Sequence, residues 1–178
     1  MHLDISDQFI DSFSIAIHLP NTLSVLENSA EAIVSVCREQ GGYTELQLNH
    51  LQMGLIEMLI NASEHGNLEI DGDLKEKMLE EDTYWEFFED RSKQTPYESR
   101  IIQVELKFSR REIRVCITDE GPGFKPQLVK QDLVSNALAI SRRGIVLTKK
   151  QFVNELIYNE KGNQVTLVVH AEAKAANQ

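Results

Sequence analysis

The stretch from Glu57 to Asn67 constrains this chain more than any other. Leu51, Leu55, Met58, Leu59 and Ala62 recur at helical spacing, so the segment reads as the end of an amphipathic helix with that stripe turned toward a core. Glu57 and Asn61 are four residues apart and therefore project from one face, one turn from each other. A carboxylate beside a neutral amide oxygen suits a hard cation and its bound water, or a hydroxyl awaiting deprotonation. Taken alone, the pair also describes an ordinary solvated helix face.

Three later segments bear on that choice. From Arg114 to Phe124 a β-branched run ends in Asp119 and a turn with Gly121 and Gly123 on either side of Pro122. Glycine permits positive φ and close backbone approach to a ligand, and proline stiffens the turn. Asp119 then stands at the mouth of a strand, where a carboxylate can accept a hydrogen bond from an exocyclic amine such as that of adenine. A surface turn after an edge strand has the same pattern. From Ser141 to Phe152, Gly144 enters a helix whose first N–H groups can meet phosphate oxygens, with Arg142 and Arg143 beside it. A basic helix start on the surface is the plainer reading. From Tyr158 to Val169 the sequence reads as two strands joined by a tight Lys161-Gly162-Asn163 turn.

In this order the four segments resemble the histidine-kinase-like ATPase superfamily, the GHKL or Bergerat fold of gyrase, heat-shock and sensor-kinase ATPases. Within it, the chain looks most like the anti-sigma-factor serine kinases and the related ATPase modules that accompany PPM-type phosphatases in bacterial signalling. The resemblance spans about residues 13–171. It implies ATP and Mg²⁺ as cofactors, with Asn61 holding Mg²⁺ against the nucleotide phosphates and Glu57 as general base. It further implies that Asp119 binds adenine, that Gly121 and Gly123 shape the pocket, and that Gly144 lies under the phosphates. The implied activity is that of a regulatory serine/threonine protein kinase. Its implied partners are a STAS-domain anti-anti-sigma-like protein and a sigma factor, with homodimerisation through the N-terminal strand region. The alternative is a non-catalytic or degenerate nucleotide-binding module that acts by docking a partner.

Two departures matter. Arg142 stands where the second glycine box of that family carries a glycine, so it either blocks the loop from closing on phosphates or contacts them itself. The last strand begins Gly162-Asn163 where the family often has Gly-Thr, and Asn163 can still hydrogen-bond at the site. His65 follows Asn61 by one turn and is expected on the pocket wall or in a structural role. His18 and His50 are expected at the surface or the core edge. No helical hairpin with a phospho-accepting histidine precedes the Glu57–Asn67 segment, which argues against a complete sensor kinase.

The 178 residues fit a single domain, 1–178, able to bury its own core without a disulfide staple. Cys37 and Cys116 have no metal-site spacing and read as reduced thiols, one on a helix's apolar side and one inside a strand. With no signal segment or apolar span in view, the expected location is cytoplasmic, away from membranes. A formal net charge of −10 argues against nucleic acid as a partner.

Much of that charge is local. Glu69 to Asp90 holds ten acidic residues against Lys75 and Lys77, interleaved with Leu74, Met78, Leu79, Tyr84, Trp85, Phe87 and Phe88. The pattern predicts an amphipathic helical insertion over about 69–92. It either packs its own aromatics or offers a docking surface on which Trp85 and Phe88 are anchors.

The remaining pattern gives a strand over Phe13–Leu19 and a helix over Asn21–Gln40, closed by Gly41-Gly42. Thr44 and Gln47 form a candidate capping box for the next helix. Strands Ile101–Phe108 and Glu112–Thr118 flank a Ser109-Arg110-Arg111 turn. A lid occupies about 125–141, a helix runs Arg143–Phe152, two strands close the fold, and a polar tail starts at Lys174. The expected architecture is α/β (α+β): a two-layer sandwich, with a mixed, mostly antiparallel sheet and helices on one face.

Overall fold

The computed structural model describes residues 12–126, 145 and 147–172. Arg142, Arg143, Gly144, the expected lid beyond residue 126 and the tail from Lys174 lie outside the described residues.

Alternation builds the sheet. In β2 (Ile102–Ser109), Ile102, Val104, Leu106 and Phe108 are buried while Gln103, Glu105 and Lys107 are exposed. In β3 (Glu112–Thr118), Ile113, Val115 and Ile117 are the buried set. A period of two gives one apolar face per strand. With β1 (Ser12–Leu19), β4 (Glu155–Tyr158) and β5 (Gln164–His170), they form a five-stranded sheet in the order β1-β2-β3-β5-β4. Every pairing among the described residues is antiparallel, not mixed as the sequence led us to expect. Leu19 at the end of β1 lies opposite Ile102 at the start of β2. The long helical excursion between them therefore leaves and re-enters at one end of the sheet, which makes these neighbours antiparallel without a hairpin.

Two helices cover the apolar face. α1 (Leu23–Gln40) buries Leu26, Ala30, Ile33, Val34 and Cys37, the stripe expected from their spacing. Gly41 and Gly42 stop it at φ values of 67° and 94°, where a Cβ is disfavoured. α2 (Glu45–Asn61) opens on the expected capping box: the Gln47 N–H donates to Thr44 Oγ1 at 3.2 Å and the Thr44 N–H to Gln47 Oε1 at 3.1 Å. Leu48, Leu51, Leu55, Met58 and Leu59 then join the sheet residues in one core. Each such side chain contributes roughly 1.5–3 kcal/mol by leaving water, so this layer carries the fold. Burial pushes the Cys37 thiol up to about 12, which keeps it an inert packing group, and Cys116 is half-buried in β3. Among the described residues no helix is long and apolar enough to cross a membrane.

Two expectations need correction. The helix carrying Glu57 and Asn61 does not simply end: it widens into a π-helical turn, Ala62–Asn67. The acidic insertion is two helices rather than one, α3 (Gly72–Glu80) and α4 (Tyr84–Ser92). They part at Asp82, which adopts φ 56°. The chain must turn back there because Leu68, Ile70, Tyr84 and Phe88 gather in a second small core with Met78, Phe87 and Tyr97, separate from the sheet. A straight helix could not bring both halves to it. Of the two aromatics named as candidate anchors, Phe88 is packed inside that cluster at 3 % exposure, whereas Trp85 is 51 % exposed.

Candidate functional site

The end of α2, the π-helical turn and the ends of β3, β4 and β5 surround a cleft of about 270 Å³. Its walls are mostly apolar, from Met58, Ala62, Ile117, Phe124, Ile145 and Val165, with Asn61, His65, Asp119 and Gln164 as the polar exceptions. Apolar walls with a few placed polar groups are what a flat, partly polar ligand needs.

Asp119 follows the last residue of β3 and is fixed from three sides. Its N–H donates to the Asn163 carbonyl at 3.0 Å, its own carbonyl accepts from Asn163 Nδ2 at 2.9 Å, and its Oδ1 accepts from the Gly121 N–H at 2.9 Å. Among the described residues no donor meets Oδ2. Burial pushes the carboxyl up to about 6, against the opposing pull of the Gly121 N–H and the Lys161 and Arg100 charges. The carboxylate can sit this deep because its neighbours have no side chain. A Cβ on Gly66 would strike the Asp119 carboxyl carbon, and one on Gly121 would strike the Gly66 carbonyl. Gly123 lines the same cleft at φ 76°, with the Lys161 backbone where its Cβ would stand.

The opposite wall belongs to α2. Asn61 Nδ2 donates to Glu57 Oε1 at 3.1 Å, which orients the amide and leaves Asn61 Oδ1 outside that bond. Asn61 lines the cleft, and Glu57 is half-buried one turn before it. The phenol of Tyr158 packs edge-on against Phe124 with ring centres 5.1 Å apart. Burial first, and then the Glu57 charge, push its ionisation upward. His65 Nδ1 lies 2.7 Å from the Ile70 carbonyl, an acceptor only, so Nδ1 carries the proton and Nε2 is left without a partner. His65 thus lines the cleft and is tied to the backbone at Ile70.

The structure thus brings Asn61, His65, Asp119 and Gly123 to one cleft, with Glu57 and Gly121 directly behind them. Asn163 is placed differently from expectation. Its amide is spent on Asp119 and Asn159, behind the carboxylate, so it positions Asp119. Arg142, Arg143 and Gly144 fall outside the described residues.

Several contributors carried no signal that sequence reasoning used. Gly66 sits at the end of a helical pattern, where an isolated glycine marks close approach. Asn67 is fully buried and ties three segments: Nδ2 donates to Asn21 Oδ1 at 3.0 Å, Oδ1 accepts from the Glu120 N–H at 2.7 Å, and its carbonyl accepts from Arg100 at 2.7 Å. Glu64, also fully buried, accepts from Lys75 of α3 at 2.5 Å and from the Tyr84 hydroxyl of α4 at 2.6 Å. Gly72, at the start of α3, lines the cleft itself. The insertion is therefore part of the wall.

The cleft combines an apolar slot with the Asp119 carboxylate and the Asn61 amide. No curated protein matches this chain. A family model described as the histidine kinase-like ATPase domain matches residues 19–169, which takes in α1, α2, the insertion and the ends of every strand that lines the cleft. The chain belongs to the histidine kinase-like ATPase domain family.

Proposed function

We propose that this protein is an ATP-binding regulatory serine/threonine kinase of the anti-sigma-factor type, acting on a STAS-like anti-anti-sigma partner. The observation that carries it is the Glu57–Asn61 pair at the rim of a cleft floored by Asp119. Phosphoryl transfer to a hydroxyl would call on one polar oxygen for a cation and one base for the hydroxyl, and the 3.1 Å bond from Asn61 to Glu57 would hold two such groups in fixed relation. Mg²⁺ bound with the nucleotide would offset the charge of the transferring phosphoryl group, a task in which positioning and electrostatics do most of the catalysis.

The chain's own residues divide the remaining work. Asp119 Oδ2 accepts from the exocyclic amine of adenine, held to its task by Gly121 and Asn163. The apolar walls exclude water from the base. Glu57 Oε2 is free of the Asn61 bond and accepts the proton of a serine or threonine hydroxyl presented by the partner. The test is transfer of labelled γ-phosphate from ATP to a STAS-domain protein. Glu57→Ala should retain nucleotide affinity and lose transfer about 10²-fold or more. Transfer at the wild-type rate would remove Glu57 from the mechanism.

A second reading, a nucleotide-gated docking module without phosphoryl transfer, is favoured by Arg142 in place of a glycine. It predicts nucleotide binding with no label on any protein acceptor.

A further inference from the structure

The outward face of α4 has a composition that its inward face does not explain. Tyr84 and Phe88 turn in and complete the small core, and Tyr84 also holds Glu64. Trp85 turns out. Its ring meets Tyr84 edge-on at 5.1 Å between centres and Phe88 at 6.3 Å, so it is held by two aromatic neighbours and still half exposed. A large apolar side chain held in place yet open to water loses little freedom on binding, which is the property of an interface anchor. Glu86, Glu89 and Asp90 are exposed on the same helix, and Glu89 stands one helical turn along the Trp85 face, with the exposed Lys93 ammonium 3.7 Å from its carboxylate, a solvent-screened contact that a partner's cation can replace.

We propose that this face of α4 is a docking surface for a basic protein segment, in which an arginine or lysine stacks on Trp85 and its neighbours pair with Glu86, Glu89 and Asp90. Charge chooses the occupant. An indole face attracts cations, guanidinium most of all, and carboxylates beside it extend the preference along a peptide. A second copy of this chain is disfavoured: an isologous contact would set the same carboxylates against each other on molecules of net charge −10. Anionic lipid and nucleic acid are repelled for the same reason. The surface does not depend on phosphoryl transfer. Its helix is tied to the turn that follows Asn61, because Tyr84 of α4 and Lys75 of α3 both hold Glu64.

The chain has one tryptophan, so the surface carries its own reporter. The full chain would be titrated with a synthetic decapeptide alternating arginine and leucine, with tryptophan emission and the anisotropy of a labelled peptide as parallel readouts. The expected result is saturable binding with a blue shift of the Trp85 emission. Anisotropy should show binding weakened at least tenfold in Trp85→Ala. A similar loss is expected in the triple variant Glu86→Gln, Glu89→Gln, Asp90→Asn, whose exposed side chains leave the small core untouched. A peptide that binds Trp85→Ala and the triple variant as tightly as wild type would overturn the proposal, since the contact would then be charge attraction elsewhere. So would an emission shift that appears on concentrating the protein without peptide, because a second copy would then cover the face. Absence of binding at low salt overturns it outright.

Discussion

Glu64 and Asp119 are carboxylates withdrawn from bulk water on the two sides of the turn Ala62–Asn67, and the fold treats them differently. Glu64 has both oxygens engaged, one by the Lys75 ammonium at 2.5 Å and one by the Tyr84 hydroxyl at 2.6 Å, with no solvent exposure. Asp119 has one oxygen on the Gly121 N–H and the other open to a cleft. A fully satisfied buried charge joins pieces of a structure together. A half-satisfied one that burial has pushed up to about 6 marks a place prepared for something else. The difference separates the insertion's mooring from the ligand floor, although Gly66 and Glu64 are two residues apart.

Removing each carboxylate should therefore break a different property. Glu64→Ala strands the Lys75 ammonium and the Tyr84 hydroxyl, and breaking a buried pair from one side costs about 3–5 kcal/mol. Denaturant unfolding should show that loss. A change below about 1 kcal/mol would mean that α3 and α4 are held by the small core and the Arg91–Leu68 bond rather than by Glu64. Asp119→Ala leaves the small core untouched. It should weaken ADP and ATP binding by about 2–3 kcal/mol, on the order of a hundredfold, because a charged acceptor is lost from a sheltered site. Calorimetric titration reads it directly. Unchanged affinity would place the base somewhere other than on Asp119.

The third variant sharpens the contrast through stability. The folded-state value of Asp119 is raised above its ordinary 3.8, so the native state binds that proton more tightly than the unfolded chain does. The associated stability is fully present below about pH 4 and is lost as pH rises through about 6. Asp119→Asn keeps an acceptor for the Gly121 N–H and carries no charge to desolvate. It should raise stability at pH 7 by about 1–2 kcal/mol, less than the full linkage value because the cleft is open to water, and by nothing at pH 4. Thermal unfolding at the two pH values checks the sign. A variant less stable than wild type at pH 7 would show that the ionised carboxylate is a structural partner after all.

What the sequence revealed follows the range of the interactions. The capping box at Thr44 and Gln47, the glycine stop after Gln40 and the alternation in β2 and β3 are decided within a few residues, and they stand where expected. Glu57 with Asn61 was legible because four residues make one helical turn. Asp119 was legible because a strand end and a glycine turn surround it. The Glu64 ties to Lys75 and Tyr84 span 11 and 20 residues, and Asn67 reaches Glu120 across 53. Such contacts are set by how elements pack, and no local spacing encodes them. The break at Asp82 was missed for the same reason: ten acidic residues on an apolar stripe read as one helix until the second core demands a turn. Asn163 was assigned toward the ligand because the family pattern places a polar residue there, whereas packing turns its amide onto Asp119.

The smallest effect is the most specific to the open oxygen. If adenine donates to ionised Asp119, the bound state favours loss of the proton that the empty site holds with a value of about 6. Affinity then falls as pH drops through 6, approaching a tenfold loss for each further unit, so binding at pH 5 should be about tenfold weaker than at pH 7. The nucleotide's own phosphates titrate in the same window, and wild type alone cannot separate the two. Asp119→Asn can, because it keeps the same ligand and removes only the protein's proton. The expected outcome is a wild-type affinity that falls more steeply toward pH 5 than that of the variant, with the difference between the two curves bending near 6. Parallel curves would assign all the pH dependence to the phosphates. Asp119 would then join Glu64 as a carboxylate that shapes the turn without meeting the ligand, and the contrast between them would be lost.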